Sequence, residues 1–149
     1  LANSRRIKRS INIDINSIKF CNEELINACK KINHLTEYIQ EAINEISIHN
    51  EEQINNETLP NRRTLTNMGL LREYIVQYIK AHPKINQSTT ILIRQLQPTE
   101  YGIPLEVYCF TSTSNWVEYE GIQSDIFDHI LSIVHIFELK VYQLPVKWS

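Results

Sequence analysis

Glycine is scarce in this chain. Only Gly69, Gly102 and Gly121 occur in 149 residues, so neither a GxGxxG turn nor a P-loop can be assembled to cradle a phosphate. The connection after the first predicted strand has no glycine at all, which also argues against an acylphosphatase-like enzyme. Cysteine is equally sparse: Cys21, Cys29 and Cys109 make no CxxC pair and no metal-ligand spacing. An odd, scattered set suits a reducing compartment. Cys29 and Cys109 lie among apolar residues and read as core fillers rather than nucleophiles. No stretch approaches the roughly 18 apolar residues of a membrane span, and nothing in these residues reads as a signal peptide. A charge excess of one sign is missing too. Fifteen Lys and Arg against seventeen Asp and Glu leave a net charge of −2, whereas a dedicated nucleic-acid binder carries a basic surplus.

What remains is the composition of an ordinary folded domain, 42% hydrophobic and 21% charged. A chain of this length buries about two-thirds of its unfolded surface, enough for one core, with or without a helical insertion. It begins with Leu1 rather than Met, which suggests a domain cut from a larger protein.

The periodicity of the apolar residues gives the elements. Ile7, Ile11, Ile13 and Ile15 alternate with Lys8, Ser10, Asn12 and Asp14, the period-two mark of a half-buried strand over residues 7–15. From Asn22 the period lengthens. Leu25, Ala28, Cys29, Ile32, Leu35, Ile39, Ile43 and Ile46 recur at helical steps. Asn22 followed by Glu23 and Glu24 supplies a helix start, and Asn33-His34 is a candidate break into two helices. The stripe nearly keeps a heptad, but so short a run predicts a hairpin packed within the domain rather than a coiled coil. Residues 50–65 are polar and weakly periodic, as expected of a loop or frayed helix end. A further helix is expected from Thr66 or Asn67, with Leu71, Tyr74, Ile75, Tyr78 and Ile79 on one face, stopping at His82-Pro83. Residues 89–96 and 103–111 read as two strands of a hairpin joined through Gln97–Gly102. The last helix opens after Thr113-Ser114-Asn115 and carries Tyr119, Ile122, Ile126, Ile130, Ile133 and Phe137 inward. A final strand is expected from Leu139 to Leu144.

With the helical material at residues 22–60 set aside, the order is βαββαβ, a ferredoxin-like α+β arrangement with a helical insertion after the first strand. Two helices would cover one face of a four-stranded, mostly antiparallel sheet.

Side chains that could carry chemistry are few. Asp125 and His129 share a helix face at a spacing of four, with Asp128 beside them. No further ligand follows in sequence, so a surface or capping role is expected, and His135 near the helix end suits the dipole. No nucleophile stands on a recognisable elbow. Tyr108 and Phe110 project to one side of a strand, as on an RNA-stacking sheet, but the first strand offers no aromatic partner, and packing against a neighbouring subunit or the inserted helices is the expected use. Arg5, Arg6, Lys8 and Arg9 crowd the start; they read either as a solvated strand edge or as a basic collar at a junction or pore. No catalytic, cofactor-binding or metal-ligating residue is assigned, and the chain reads as a non-catalytic scaffold.

Longer runs carry a resemblance. Tyr108-Cys109-Phe110-Thr111, Trp116-Val117-Glu118-Tyr119-Glu120 and Ile122-Gln123-Ser124-Asp125-Ile126-Phe127-Asp128-His129 resemble the C-terminal cytoplasmic domain of MscS-like mechanosensitive ion channels, miniconductance (YbdG-like) branch. Arg5-Arg6-Ile7-Lys8-Arg9-Ser10, Thr66-Asn67, His82-Pro83 and Arg94-Gln95-Leu96 extend the likeness across nearly the whole chain. The resemblance implies a homoheptameric channel whose transmembrane helices and middle β domain are not in this sequence. It implies a domain on the cytoplasmic side of the inner membrane, forming part of a vestibule and supporting solute release under hypo-osmotic shock. No nucleic-acid partner and no cofactor follow from it, and the isolated piece is expected to be a monomer or dimer. The smallest family members lack the segment of residues 22–60. The competing readings are a regulatory ligand-binding module on the same fold and a cryptic hydrolase.

Overall fold

Ile7, Ile11 and Ile13 turn to one side of the first strand and are buried there, as their spacing predicts. The computed structural model describes residues 3–51 and 65–145; the loop expected over residues 50–65 lies almost wholly outside the described residues. Strand β1 (Arg6–Ile13) pairs antiparallel along its whole length with β3 (Ile103–Phe110), from Arg6 opposite Phe110 to Ile13 opposite Ile103. Strand β2 (Leu92–Gln95) pairs antiparallel with the other edge of β3, so the order is β1-β3-β2. The expected hairpin between β2 and β3 is present. It closes at Thr99 and Gly102, whose backbones exchange hydrogen bonds of 2.8 and 3.2 Å. Gly102 has φ +96°, and a Cβ there would collide with the Ile13 carbonyl oxygen, so both backbone conformation and space call for glycine.

Four helices complete the described chain: α1 (Glu23–Lys30), α2 (Thr36–Glu51), α3 (Asn67–Lys80) and α4 (Trp116–Ile133). Three begin on a side-chain cap. Asn22 accepts from the Leu25 N–H, Thr66 from the Gly69 N–H and Asn115 from the Glu118 N–H, each satisfying a backbone donor that the helix itself leaves without a partner. The stripe that begins at Leu25 breaks at residues 31–35, as Asn33-His34 suggested, giving α1 and α2. Leu25, Cys29, Leu35 and Ile39 are buried in the same core cluster as Leu71, Ile75 and Ile79 of α3 and Ile122, Ile126 and Ile130 of α4. Ala28, placed on the apolar stripe, is exposed.

Three expectations fail at strand ends, the second strand beginning at Leu92 rather than at residue 89. The first strand stops at Ile13 rather than Ile15, because the Asp14 carboxylate accepts from the Asn16 N–H at 2.9 Å and starts a 3-10 turn over Ile15–Ser17. Ile15 is thereby left 52% exposed. The fourth strand, expected from Leu139 to Leu144, is reduced to a single bridge between Val141 and Ile13. Two backbone hydrogen bonds hold it: Asp14 N–H to Lys140 O and Tyr142 N–H to Asn12 O, both 2.8 Å. Glu138 enters this segment in the left-handed region at φ 57°, and Leu144, beside Pro145, turns out to solvent at 61% exposure. The sheet of the described residues therefore has three antiparallel strands, within an α+β fold.

Candidate functional site

The two-residue alternation of β1 divides the basic run between two faces. Arg9 lies on the same side as Ile7 and Ile11, with its guanidinium 4.9 Å from the Phe127 ring centroid of α4. Arg5, just before the strand, donates through Nε to Ser114 O at 2.8 Å and sits 5.8 Å from the Tyr119 ring centroid. Tyr119 adds a hydrogen bond from its hydroxyl to Arg6 O at 2.7 Å. The first turns of α4 thus grip the start of β1 through cation–π and hydrogen-bond contacts. Arg6 and Lys8 project from the opposite face and are exposed. No single collar of four cations forms.

That opposite face carries Tyr108 and Phe110 of β3 as well. Their rings meet edge to face at 5.6 Å, and Leu92, across from Tyr108, is 43% exposed. Beside them Glu106 is buried and accepts from Arg94 Nε at 3.0 Å. Register explains this pairing, since Arg94 and Glu106 stand directly opposite in the β2–β3 ladder. The result is an aromatic surface with cations at one margin.

The residues singled out on α4 part company. His129 does not stay on the surface but turns toward α3, where its Nε2 lies 2.7 Å from the Tyr74 hydroxyl and its ring stacks on Tyr78 at 4.3 Å between centroids. The neighbours extend outward from this pair. His34, in the α1–α2 turn, meets the Tyr74 ring edge-on at 5.7 Å, and His82 meets Tyr78 edge-on at 5.9 Å. Phe137 meets the Tyr74 ring at a tilt, 5.9 Å between centroids. Burial lowers the His129 pKa, the Asp128 charge opposing and His34 reinforcing the shift. For His82, burial and then Lys84 lower it while Asp125 acts the other way. Burial raises both Tyr74 and Tyr78, so the phenols keep their protons. Asp125 and Asp128 remain exposed, and no group of three or more His, Cys, Asp or Glu able to hold a metal exists among the described residues. His135 is exposed in the short 3-10 turn, Val134–Phe137, that follows α4.

The cysteines are free and buried. Burial pushes the Cys21 and Cys29 thiols up to about 11 and Cys109 to about 12, so none offers a thiolate near neutral pH.

Sequence reasoning missed Asn67 as an interior residue. It is fully buried, and its amide donates to Ser17 O and accepts from Lys19 N–H, both at 2.9 Å. Its own N–H donates to Lys19 O at 3.0 Å. One asparagine therefore fixes the segment leaving β1 against the start of α3. Its position immediately after the cap Thr66 was the only signal, and that signal reads equally well as an exposed first turn.

Among the described residues these groups form no catalytic constellation: His34, His82 and His129 face phenols, the thiols are buried in the core cluster, and the buried Glu106 carboxylate faces a guanidinium. No helix among the described residues is long and apolar enough to cross a membrane. No protein-family model matches the chain. In sequence it is similar to the low conductance mechanosensitive channel YnaI of Escherichia coli (strain K12), 34% identical over 67 residues. The match takes in 45% of this chain and 20% of that relative, so the chain spans only a small part of that relative's length.

Proposed function

We propose that this chain is the C-terminal cytoplasmic domain of an MscS-like mechanosensitive channel, in the miniconductance branch, and that it forms part of the vestibule wall of a homoheptamer on the cytoplasmic side of the inner membrane. The observation that carries this reading is the 34% identity over 67 residues to a mechanosensitive channel. Two others support it. Placing the bridged segment around Val141 beside β1 gives the spatial order terminal segment, β1, β3, β2, which fits a ferredoxin-like sheet whose fourth strand has shrunk. The face bearing Tyr108, Phe110, Arg6 and Lys8 suits contact with a neighbouring subunit or with permeating ions. The domain's role is to support assembly and to modulate the passage of solutes released under hypo-osmotic shock.

The intact protein is the test. In membrane patches from cells stripped of their own mechanosensitive channels, it should give currents that open with tension and should raise survival of hypo-osmotic shock. An absence of tension-gated current up to membrane rupture, in cells shown to carry the protein in the membrane, overturns the channel reading. Replacing Arg6 and Lys8 together with Gln should then alter ion preference, since both point away from the α4 contacts. Unchanged single-channel selectivity would remove the basic margin from the permeation path and leave it an ordinary solvated edge.

A further inference from the structure

We propose that the imidazole–phenol stack where the α1–α2 turn meets α3 and α4 is a pH-operated latch, holding the turn in place while His129 is neutral and loosening it when His129 gains a proton. The inference concerns this chain alone and stands whether or not the channel reading does.

The stack bridges three separate pieces of chain. His34 comes from the turn between α1 and α2, Tyr74 and Tyr78 from successive turns of α3, and His129 from the C-terminal third of α4. Tyr74 is the hub. It touches His34 at 5.7 Å, Phe137 at 5.9 Å and Tyr78 at 6.2 Å between centroids, and shares the 2.7 Å hydrogen bond with His129 Nε2. A neutral imidazole can accept the phenol hydrogen at Nε2, whereas an imidazolium is a donor at both nitrogens. Protonation then reverses the bond, the Tyr74 hydroxyl hydrogen turning aside so that its oxygen accepts from the imidazolium, and it places a charge in a partly desolvated stack.

Among the described residues, the titratable groups recorded against the stack come from three elements. From α3 come Tyr74, Tyr78 and, just past its end, His82; from the α1–α2 turn comes His34; from α4 itself come Asp125 and Asp128, and the short turn after α4 lays Phe137 against Tyr74. Asp128 favours the charged imidazole, but burial and His34 act against it, and the net direction is down. The fold thus binds the His129 proton more weakly than the unfolded or opened chain does. The stabilisation is fully present above the ordinary histidine pKa and is lost as the pH falls from there toward the lower folded value. His82 shifts in the same direction and adds to the effect. Of the contacts in the stack, the one between His34 and Tyr74 belongs to the α1–α2 turn, so a charged stack acts first on that turn. The buried Ile39 keeps α2 itself docked.

Hydrogen exchange on the whole chain at about pH 7.5 and about pH 5.5, corrected for intrinsic exchange, reads the latch directly. Amides of residues 31–36 should open more at the lower pH by about threefold or more, while those of Ile75 and Ile79 should hold. His129→Gln keeps an acceptor for the Tyr74 hydroxyl and cannot be charged, so its response to pH should fall to the small part that His82 supplies; His34→Gln should reduce the response of the natural chain. Equal opening of residues 31–36 at both pH values in the natural chain, or a full response in His129→Gln, overturns the proposal. Should that variant fail to fold, the ring protons of His129 in the natural chain decide the matter by NMR. A titration at or above the ordinary histidine range overturns the latch; one below it, with turn resonances moving in step, supports it.

Discussion

Neighbouring residues of β1 live in different surroundings. Ile7 and Ile11 are shut into the core, and Arg9 between them lies over the Phe127 ring. Arg6, Lys8 and Ser10, each one residue away, share the other face with Tyr108 and Phe110. Because a strand sends successive side chains to opposite faces, a run of four cations that looks like one patch in sequence becomes two unrelated sets. Arg5 and Arg9 fasten the strand to α4, while Arg6 and Lys8 carry charge into the open. Clustering in sequence therefore exaggerates clustering in space whenever the segment is extended.

The sharpest way to break this comparison is to truncate one residue on each face. Ile7→Ala removes a fully buried side chain and should cost about 2–5 kcal/mol of unfolding free energy, whereas Lys8→Ala should stay within about 0.5 kcal/mol of the natural chain. Comparable losses in chemical denaturation would mean that the outer face is covered as well. Next in size is Asn67→Ala on the helix-backed side. It strands the Lys19 N–H and the Ser17 carbonyl, and with each such group worth about 1–3 kcal/mol the expected loss is about 2–4 kcal/mol. A loss below 1 kcal/mol would show that water replaces the amide and that the segment after β1 is not fixed by it. The smallest effect separates the arginines. Arg9→Ala should cost about 0.5–1 kcal/mol through the lost cation–π contact, and Arg6→Ala almost nothing. A double-mutant cycle of Arg9 with Phe127 checks this, and a coupling indistinguishable from zero would reduce the Phe127 contact to mere proximity.

Much of the fold was legible because short-range rules governed it. The isoleucine alternation in β1, the caps at Asn22 and Thr66, the break near Asn33-His34 and the stop at His82-Pro83 all depend on residues within a few positions of each other. The errors share a different origin. Asp14 looked like the polar member of an alternating pair, and only its side-chain bond to Asn16 N–H shows that it ends the strand. Leu139–Leu144 has strand composition, yet a strand needs a partner in register. The left-handed Glu138 and the proline at position 145 leave the segment room for one bridge.

The site was harder to read than the fold. Asp125 and His129 share a spacing that suggested either a metal pair or an exposed helix face. Neither describes His129, because its role is set by Tyr74 and Tyr78, some fifty residues earlier in the chain, and no periodicity encodes which helix lies alongside. Asn67 shows the same thing from the other direction: a polar residue in a first turn looks solvated until tertiary contacts supply partners for it.

By itself, then, the sequence determined the α+β class, the helix starts and the apolar faces, since these follow from backbone preference and local spacing. It also determined that no glycine-rich phosphate loop, CxxC motif or bilayer-length apolar run exists in this chain. Tertiary structure alone decided which cations of β1 face α4, that the last segment forms a bridge rather than a strand, and that three imidazoles and two phenols meet at one seam. Those outcomes depend on which distant surfaces come into contact, and contact between distant surfaces is set by the packing of the whole core rather than by any stretch of the chain.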